Sequence, residues 1–193
     1  MRGLFSDKHK FTTWRRLWIA LARAQKQLGL DISDEQLADL EAHIDDIDYE
    51  AAGQYERKFR HDVMAHIHAY GDIAPNAKGV IHLGATSQFV NCNTDLLVLR
   101  DALGLVARSL ANAIDALANF AQEHRDLPCL GFTHYQPAQM TTVGKRAALW
   151  CSEFVSDLAE IERRIETLEF RGVKGTTGTQ ASFLALFDGD HDK

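Results

Sequence analysis

Apolar positions in the first half of this chain recur at steps of three and four, broken into short runs that read as successive helices. Trp14, Leu17, Trp18, Leu21 and Leu28 fall on one face, and Gly29 is placed to stop that helix. Ser33 followed by Gln36 has the capping-box spacing and opens a short helix through Leu37, Leu40 and Ile44. A third helix is predicted from about Tyr49 to Phe59. A fourth begins near Asp62, carries Val63, Met64 and Ile67, and ends at Gly71, ahead of Ala74-Pro75. The stretch from Lys78 to Ser87 is apolar and β-branched but short and flanked by glycine. It is expected to be an ordered loop or a lone strand.

The second half has a longer period of order. Leu96, Leu99, Leu103, Val106, Leu110, Ala113, Leu117 and Phe120 alternate steps of three and four, a coiled-coil-like seam with Asn93 as its expected N-cap. A helix from Asn93 to Glu123 would be about 45 Å long at the standard rise. A second long helix is expected after Pro137, with Val143, Ala147, Trp150, Phe154, Leu158, Ile161, Ile165 and Leu168 as its stripe. Two such helices cannot cover their own stripes and call for partners in a larger bundle. The connection from His124 to Gln136 reads as a long loop, a length that tends to carry function.

Composition narrows the class. The chain has 193 residues, 46% hydrophobic and 25% charged, with a net charge of −6, which argues against a broad electrostatic grip on nucleic acid. Its 3 cysteines (Cys92, Cys129, Cys151) form no Cys-x-x-Cys pair, so neither a disulfide framework nor a zinc knuckle is expected, and a reducing cytoplasm is the natural setting. Charges interrupt every apolar run short of a membrane span. The fold class is all-α: an N-terminal helical domain over residues 1–86, then the first long helices of a bundle over 87–193.

Four short stretches hold candidate chemistry. His61, His66 and His68 lack the spacing of a zinc motif, and the last two read as ordinary helix residues. Arg60-His61-Asp62 sits at a helix start, where backbone N–H groups and the helix dipole favour an anion. Capping alone would also explain it. Gly84-Ala85-Thr86-Ser87 supplies two hydroxyls suited to a carboxylate, though an ordinary Ser/Thr turn has the same pattern. Thr133-His134 in the long loop is the best placed for acid–base work, because imidazole titrates near neutrality. Loop anchoring is the competing role. Gly172 to Thr179 lacks the Gly-Lys-Ser/Thr ending of a phosphate loop and is taken as a helix-terminating loop.

Read together, Arg60-His61-Asp62-Val63-Met64-Ala65-His66, Gly84-Ala85-Thr86-Ser87 through Asn93-Thr94-Asp95, and Thr133-His134-Tyr135-Gln136-Pro137-Ala138-Gln139 resemble the adenylosuccinate lyases, above all their animal-type branch. Phe170 to Gln180 fits the same branch, and the resemblance covers essentially all of the chain. Thr86-Ser87 and Thr-His-x-Gln-Pro alone would indicate only the wider fumarase/aspartase superfamily. The resemblance implies a cytoplasmic, cofactor-free and metal-free carbon–nitrogen lyase, a helical homotetramer with active sites shared between subunits. It would eliminate fumarate from adenylosuccinate, giving AMP, and from the succinylated aminoimidazole carboxamide ribotide (SAICAR). Nucleic acid and membrane are not among the implied partners.

Carried over by position, His134 is the implied general acid, with Thr133 beside it in the substrate pocket. Thr86 and Ser87 hold the succinyl end. Arg60, His61 and Asp62 belong to the nucleotide-binding stretch. The family's catalytic base is a serine in a Ser-Ser-x-Met-Pro-x-Lys-x-Asn-Pro loop. That motif does not occur among these residues, so the chain is expected to be an N-terminal part. Cys92 stands where close relatives are expected to carry an acidic residue. Two other readings stay open: another lyase of the superfamily, and a subunit that only associates with full-length partners.

Overall fold

The computed structural model describes all 193 residues, in the order α1 (Asp7–Gln27), α2 (Asp34–Ala42), α3 (Tyr49–Phe59), α4 (Asp62–Ile73), a 3-10 turn (Pro75–Ala77), α5 (Ser87–Glu123), β1 (Pro128–Thr133), β2 (Gln136–Thr142), α6 (Val143–Glu166) and α7 (Ala181–Leu186). The chain divides into two compact units, Met1–Val98 with Phe170–Lys193, and Leu99–Glu169. The division into 1–86 and 87–193 falls at the start of α5, whereas the compact units part inside that helix.

The first unit owns a core. Ser6 caps α1 by accepting from the His9 N–H, and the face carrying Trp14, Trp18, Leu21 and Ala22 is buried. Leu40 from α2, Val63, Ile67 and Tyr70 from α4, and Phe89 and Val90 from α5 close over it. Ser33 and Gln36 make the reciprocal capping box that the spacing predicts. Gly29 follows α1 at φ 99°, a conformation open to glycine without strain. Some polar groups inside are paired: the Tyr70 hydroxyl donates to the Leu40 carbonyl at 2.6 Å, and buried Arg15 donates to the His43 and Asp46 carbonyls, whereas the Trp14 indole N–H, the Gln25 amide oxygen and the Thr94 hydroxyl have no partner.

The second unit differs in kind. It is a hairpin and two long helices in which Ala102 and Ala147 are the only buried hydrophobic residues. The helices approach closely at one end. A Cβ on Gly144 would come within 2.6 Å of the Arg125 Cα, and the Gly144 N–H donates to the His124 carbonyl at 3.0 Å.

Three expectations are corrected. The connection before α6 is not a loop but an antiparallel pair, β1 with β2, irregular between Leu130 and Phe132. Helix α6 starts at Val143, the first residue of the expected stripe, capped by Thr142, but it ends at Glu166, before Leu168. Asn93 does not cap α5, which begins at Ser87. Its amide is buried and bonds to a distant segment instead.

Candidate active site

Two sequence motifs meet at the amino end of α5. Arg60 ends α3 in the left-handed region, at φ 56°, and this reversal lets His61 serve as N-cap of α4. His61 Nδ1 accepts from the Met64 N–H at 3.4 Å and lies 3.5 Å from an Asp62 carboxylate oxygen. In the neutral ring, that acceptor role puts the proton on Nε2, which faces the Ser87 hydroxyl at 3.2 Å. A residue from the α3–α4 junction thus touches the first residue of α5. Thr86, immediately before, donates to the Lys174 carbonyl at 3.1 Å.

The loop that delivers Thr86 and Ser87 is pinned from beneath. His82, at φ 63°, accepts at Nδ1 from the Trp18 indole N–H at 2.9 Å, and burial pushes its pKa down to about 4. Gln25 donates to the Leu83 carbonyl and Ser182 to the Gly84 carbonyl. Gly84, at φ 70°, has a backbone conformation that favours glycine, and a Cβ there would press on Leu186 Cδ1 at 2.5 Å. His66 is one of the ordinary helix residues expected: it stacks on Phe11 at 3.8 Å, and burial, then nearby Arg15, hold its pKa at about 4. His68 stacks on Tyr55 and Phe59.

The Gly172–Thr179 stretch is a loop but does not itself terminate α6, which already ends at Glu166 with Thr167 as its cap, and it walls a cavity with Thr86 and Ser87. This cavity of about 450 Å³ is lined by Thr86, Ser87, Gln88, Phe89, Cys92, Arg171, Gly172, Lys174, Gly175, Thr176 and Gly178. Asn93, 2% exposed, ties the wall to α5. Its Nδ2 donates to the Phe89 and Gly172 carbonyls, and its Oδ1 accepts from the Arg171 N–H at 2.9 Å. Asn93, Arg171 and Lys174 were missed as site residues because their partners lie some eighty residues away. The sequence hint was two cations leading into a glycine-rich loop.

Thr133 and His134 belong to the second unit. Thr133 pairs with Gln136, so His134 and Tyr135 alone make the turn, at φ 49° and 61°. Two consecutive positive φ values define a type I′ hairpin turn, usually Asn-Gly. Here two bulky residues occupy it, and Tyr135 is fully exposed. An unpropitious sequence at a strained turn motivates a functional hypothesis. The arrangement presents an imidazole on a short, two-stranded stalk.

A lyase family model matches residues 1–185. The chain belongs to the lyase family. Over its whole length it is 55% identical to the adenylosuccinate lyase of Schizosaccharomyces pombe and 53% identical to that of Saccharomyces cerevisiae, covering 41% of each. It spans, then, about two-fifths of the curated relatives it matches. Among solved structures, it resembles the 3-carboxy-cis,cis-muconate lactonizing enzyme of Pseudomonas putida with a TM-score of 0.83 at 28% identity, over 95% of this chain and 43% of that one. A fumarate lyase from a Mesorhizobium species gives 0.79 at 29% identity, over 97% and 47%. No helix of this lyase-family chain is long and apolar enough to cross a membrane.

Proposed function

We propose that this chain is the part of an adenylosuccinate lyase that supplies the general acid and the succinyl-binding hydroxyls. The supporting observation is the contact of His61 with Ser87, which joins two of the motifs that resemble this family. In the reaction, a base removes a proton from the carbon β to the nitrogen. The electron pair left behind forms the C=C bond of fumarate, and the C–N pair departs with nitrogen. His134 protonates that nitrogen, giving AMP from adenylosuccinate or the free ribotide from SAICAR. Ser87 donates to the succinyl carboxylates, where negative charge grows as the proton leaves, and Thr86 does so once its hydroxyl turns from the Lys174 carbonyl. Arg60, His61 and Asp62 hold the nucleotide, Thr133 lies beside it, and neither metal nor cofactor takes part.

The base comes from outside these residues, and several copies of the subunit, four in the assembled cytoplasmic enzyme, complete each site. Isolated, the chain has no turnover. A chimera in which this chain replaces the matching part of the S. pombe enzyme tests the reading through fumarate release. Release from adenylosuccinate and none from argininosuccinate is expected. Release from argininosuccinate alone would favour another lyase of the superfamily, and a folded, tetrameric but inert chimera would overturn the proposal.

A further inference from the structure

Two buried indoles lie one helical turn apart on α1, and the fold treats them differently. Trp14, 0% exposed, has an Nε1–H without a partner, whereas Trp18, 1% exposed, donates its Nε1–H to His82 Nδ1 at 2.9 Å. This core tolerates an orphaned indole donor, so burial alone does not account for the Trp18 bond. The acceptor is unusual too. His82 sits at φ 63°, in the left-handed region that few non-glycine residues enter. Its carbonyl accepts from the Ala85 N–H at 3.2 Å, closing a turn that ends one residue before Thr86. Gln25, two turns further along α1, donates to the Leu83 carbonyl inside that turn at 2.8 Å. A neutral imidazole that accepts at Nδ1 carries its proton on Nε2. Burial, and then nearby His61, hold the His82 pKa at about 4, so the accepting lone pair is available through the neutral range.

We infer that Trp18 is a positioning residue for the loop that carries Thr86 and Ser87: by fixing His82 as the Nε2–H tautomer, its indole ties the left-handed turn to α1 and sets where the two hydroxyls are presented. Trp18 is buried in the core and acts only through His82. The effect on substrate rests on the role of Thr86 and Ser87 proposed above, whereas the tautomer and the turn do not.

The test compares Trp18→Phe with Trp14→Phe, which removes the same volume from the same core but no hydrogen bond. In the isotope-labelled 193-residue chain, imidazole nitrogen shifts should show the Nε2–H form at His82, a mixture of tautomers in Trp18→Phe, and the unmixed form in Trp14→Phe. Exchange of the Ala85 amide, measured against the amides of α4, should rise about tenfold in Trp18→Phe alone. If Trp18→Phe does not fold, benzothienylalanine at position 18 keeps the ring shape and lacks the N–H, and the same results are expected. In the chimera, Trp18→Phe should lower kcat/KM about tenfold, mostly through KM, and Trp14→Phe should stay near the parent. A His82 ring in the other tautomer overturns the inference, as does a Trp18→Phe chain with the wild-type tautomer and Ala85 exchange. Equal changes in both variants also overturn it, because packing alone would then explain them. The two readings fail separately. An active chimera whose kcat/KM ignores Trp18→Phe removes only the positioning role, and an inert chimera with a Trp18-dependent tautomer and turn removes only the reaction.

Discussion

The first unit hides two tryptophans, a tyrosine and a run of aliphatic side chains around α1 and α4, whereas the second, over residues 99–169, buries little beyond two alanines. Both are helical and comparable in their hydrophobic periodicity, so amphipathic pattern alone does not tell a self-sufficient core from a stripe awaiting partners. The difference lies in the geometry of the elements. Helices α1, α2 and α4 and the start of α5, packed on one another, enclose a volume, while two long helices side by side have a seam and no interior. Leu99, Val106, Leu149, Trp150 and Val155 are all exposed, and apolar surface of that extent drives association. Stability and chemistry are therefore distributed unevenly: the poorly covered unit carries the proposed acid.

That uneven distribution can be broken where it is sharpest. In the chimeric enzyme, His134→Gln should lower turnover by ~10²–10⁴ and leave substrate binding within about an order of magnitude, because a proton donor is lost and little volume. Steady-state rates and calorimetry check it, and near-normal turnover would move the acid elsewhere. In the dilute isolated chain, amides of residues 99–169 should exchange with solvent roughly a thousandfold faster than those of α1 and α4, the ratio implied by about 4 kcal/mol of extra protection. Equal protection would mean the long helices stand alone.

Acid sharpens the contrast. His66 and His82 both belong to the first unit and both have pKa values of about 4 against an ordinary 6.5, through burial. The unfolded chain binds protons there that the folded one refuses. Their contribution is complete above about pH 6.5 and is lost as pH falls from 6.5 to 4, by about 3 kcal/mol for each residue. Denaturation of a Trp150→Phe variant, whose two remaining tryptophans both lie in this unit, followed by near-ultraviolet circular dichroism reads it, and a flat profile across that window would contradict the burial argument. The smallest effect is a paired one. Asn93→Leu should cost about 1–3 kcal/mol by stranding the Gly172 and Arg171 backbone groups, while Phe132→Ser in the exposed hairpin should fall within ~0.5 kcal/mol. Chemical denaturation of both variants decides it.

What could be read in advance follows the same division. Local chemistry made α1 to α4 legible: a capping box at Ser33, a stop at Gly29, a start at Asp62. The hairpin was not legible, because its turn holds His134-Tyr135 rather than the Asn-Gly that marks such turns. Asn93 misled because asparagine is a good helix cap, and nothing local reveals that its amide serves residues 171 and 172. The short helix Ala181–Leu186 also escaped, being under two turns long. Of the candidate site, the motifs stood out individually. The meeting of His61 with Ser87, and of Thr86 with Lys174, depends on tertiary packing and had no trace in spacing.

The turn at His134 and Tyr135 leads to an evolutionary expectation. Were those two positions randomised and the survivors chosen only for a well-formed hairpin, small residues tolerant of positive φ would be recovered, with Asn-Gly foremost. Were the same library, placed in the chimera, screened for growth that depends on purine synthesis, histidine would return at the first position, and the second would drift toward glycine or asparagine. The two winning populations would agree at residue 135 and disagree at 134. A single dipeptide would thereby separate what the backbone prefers from what the reaction demands.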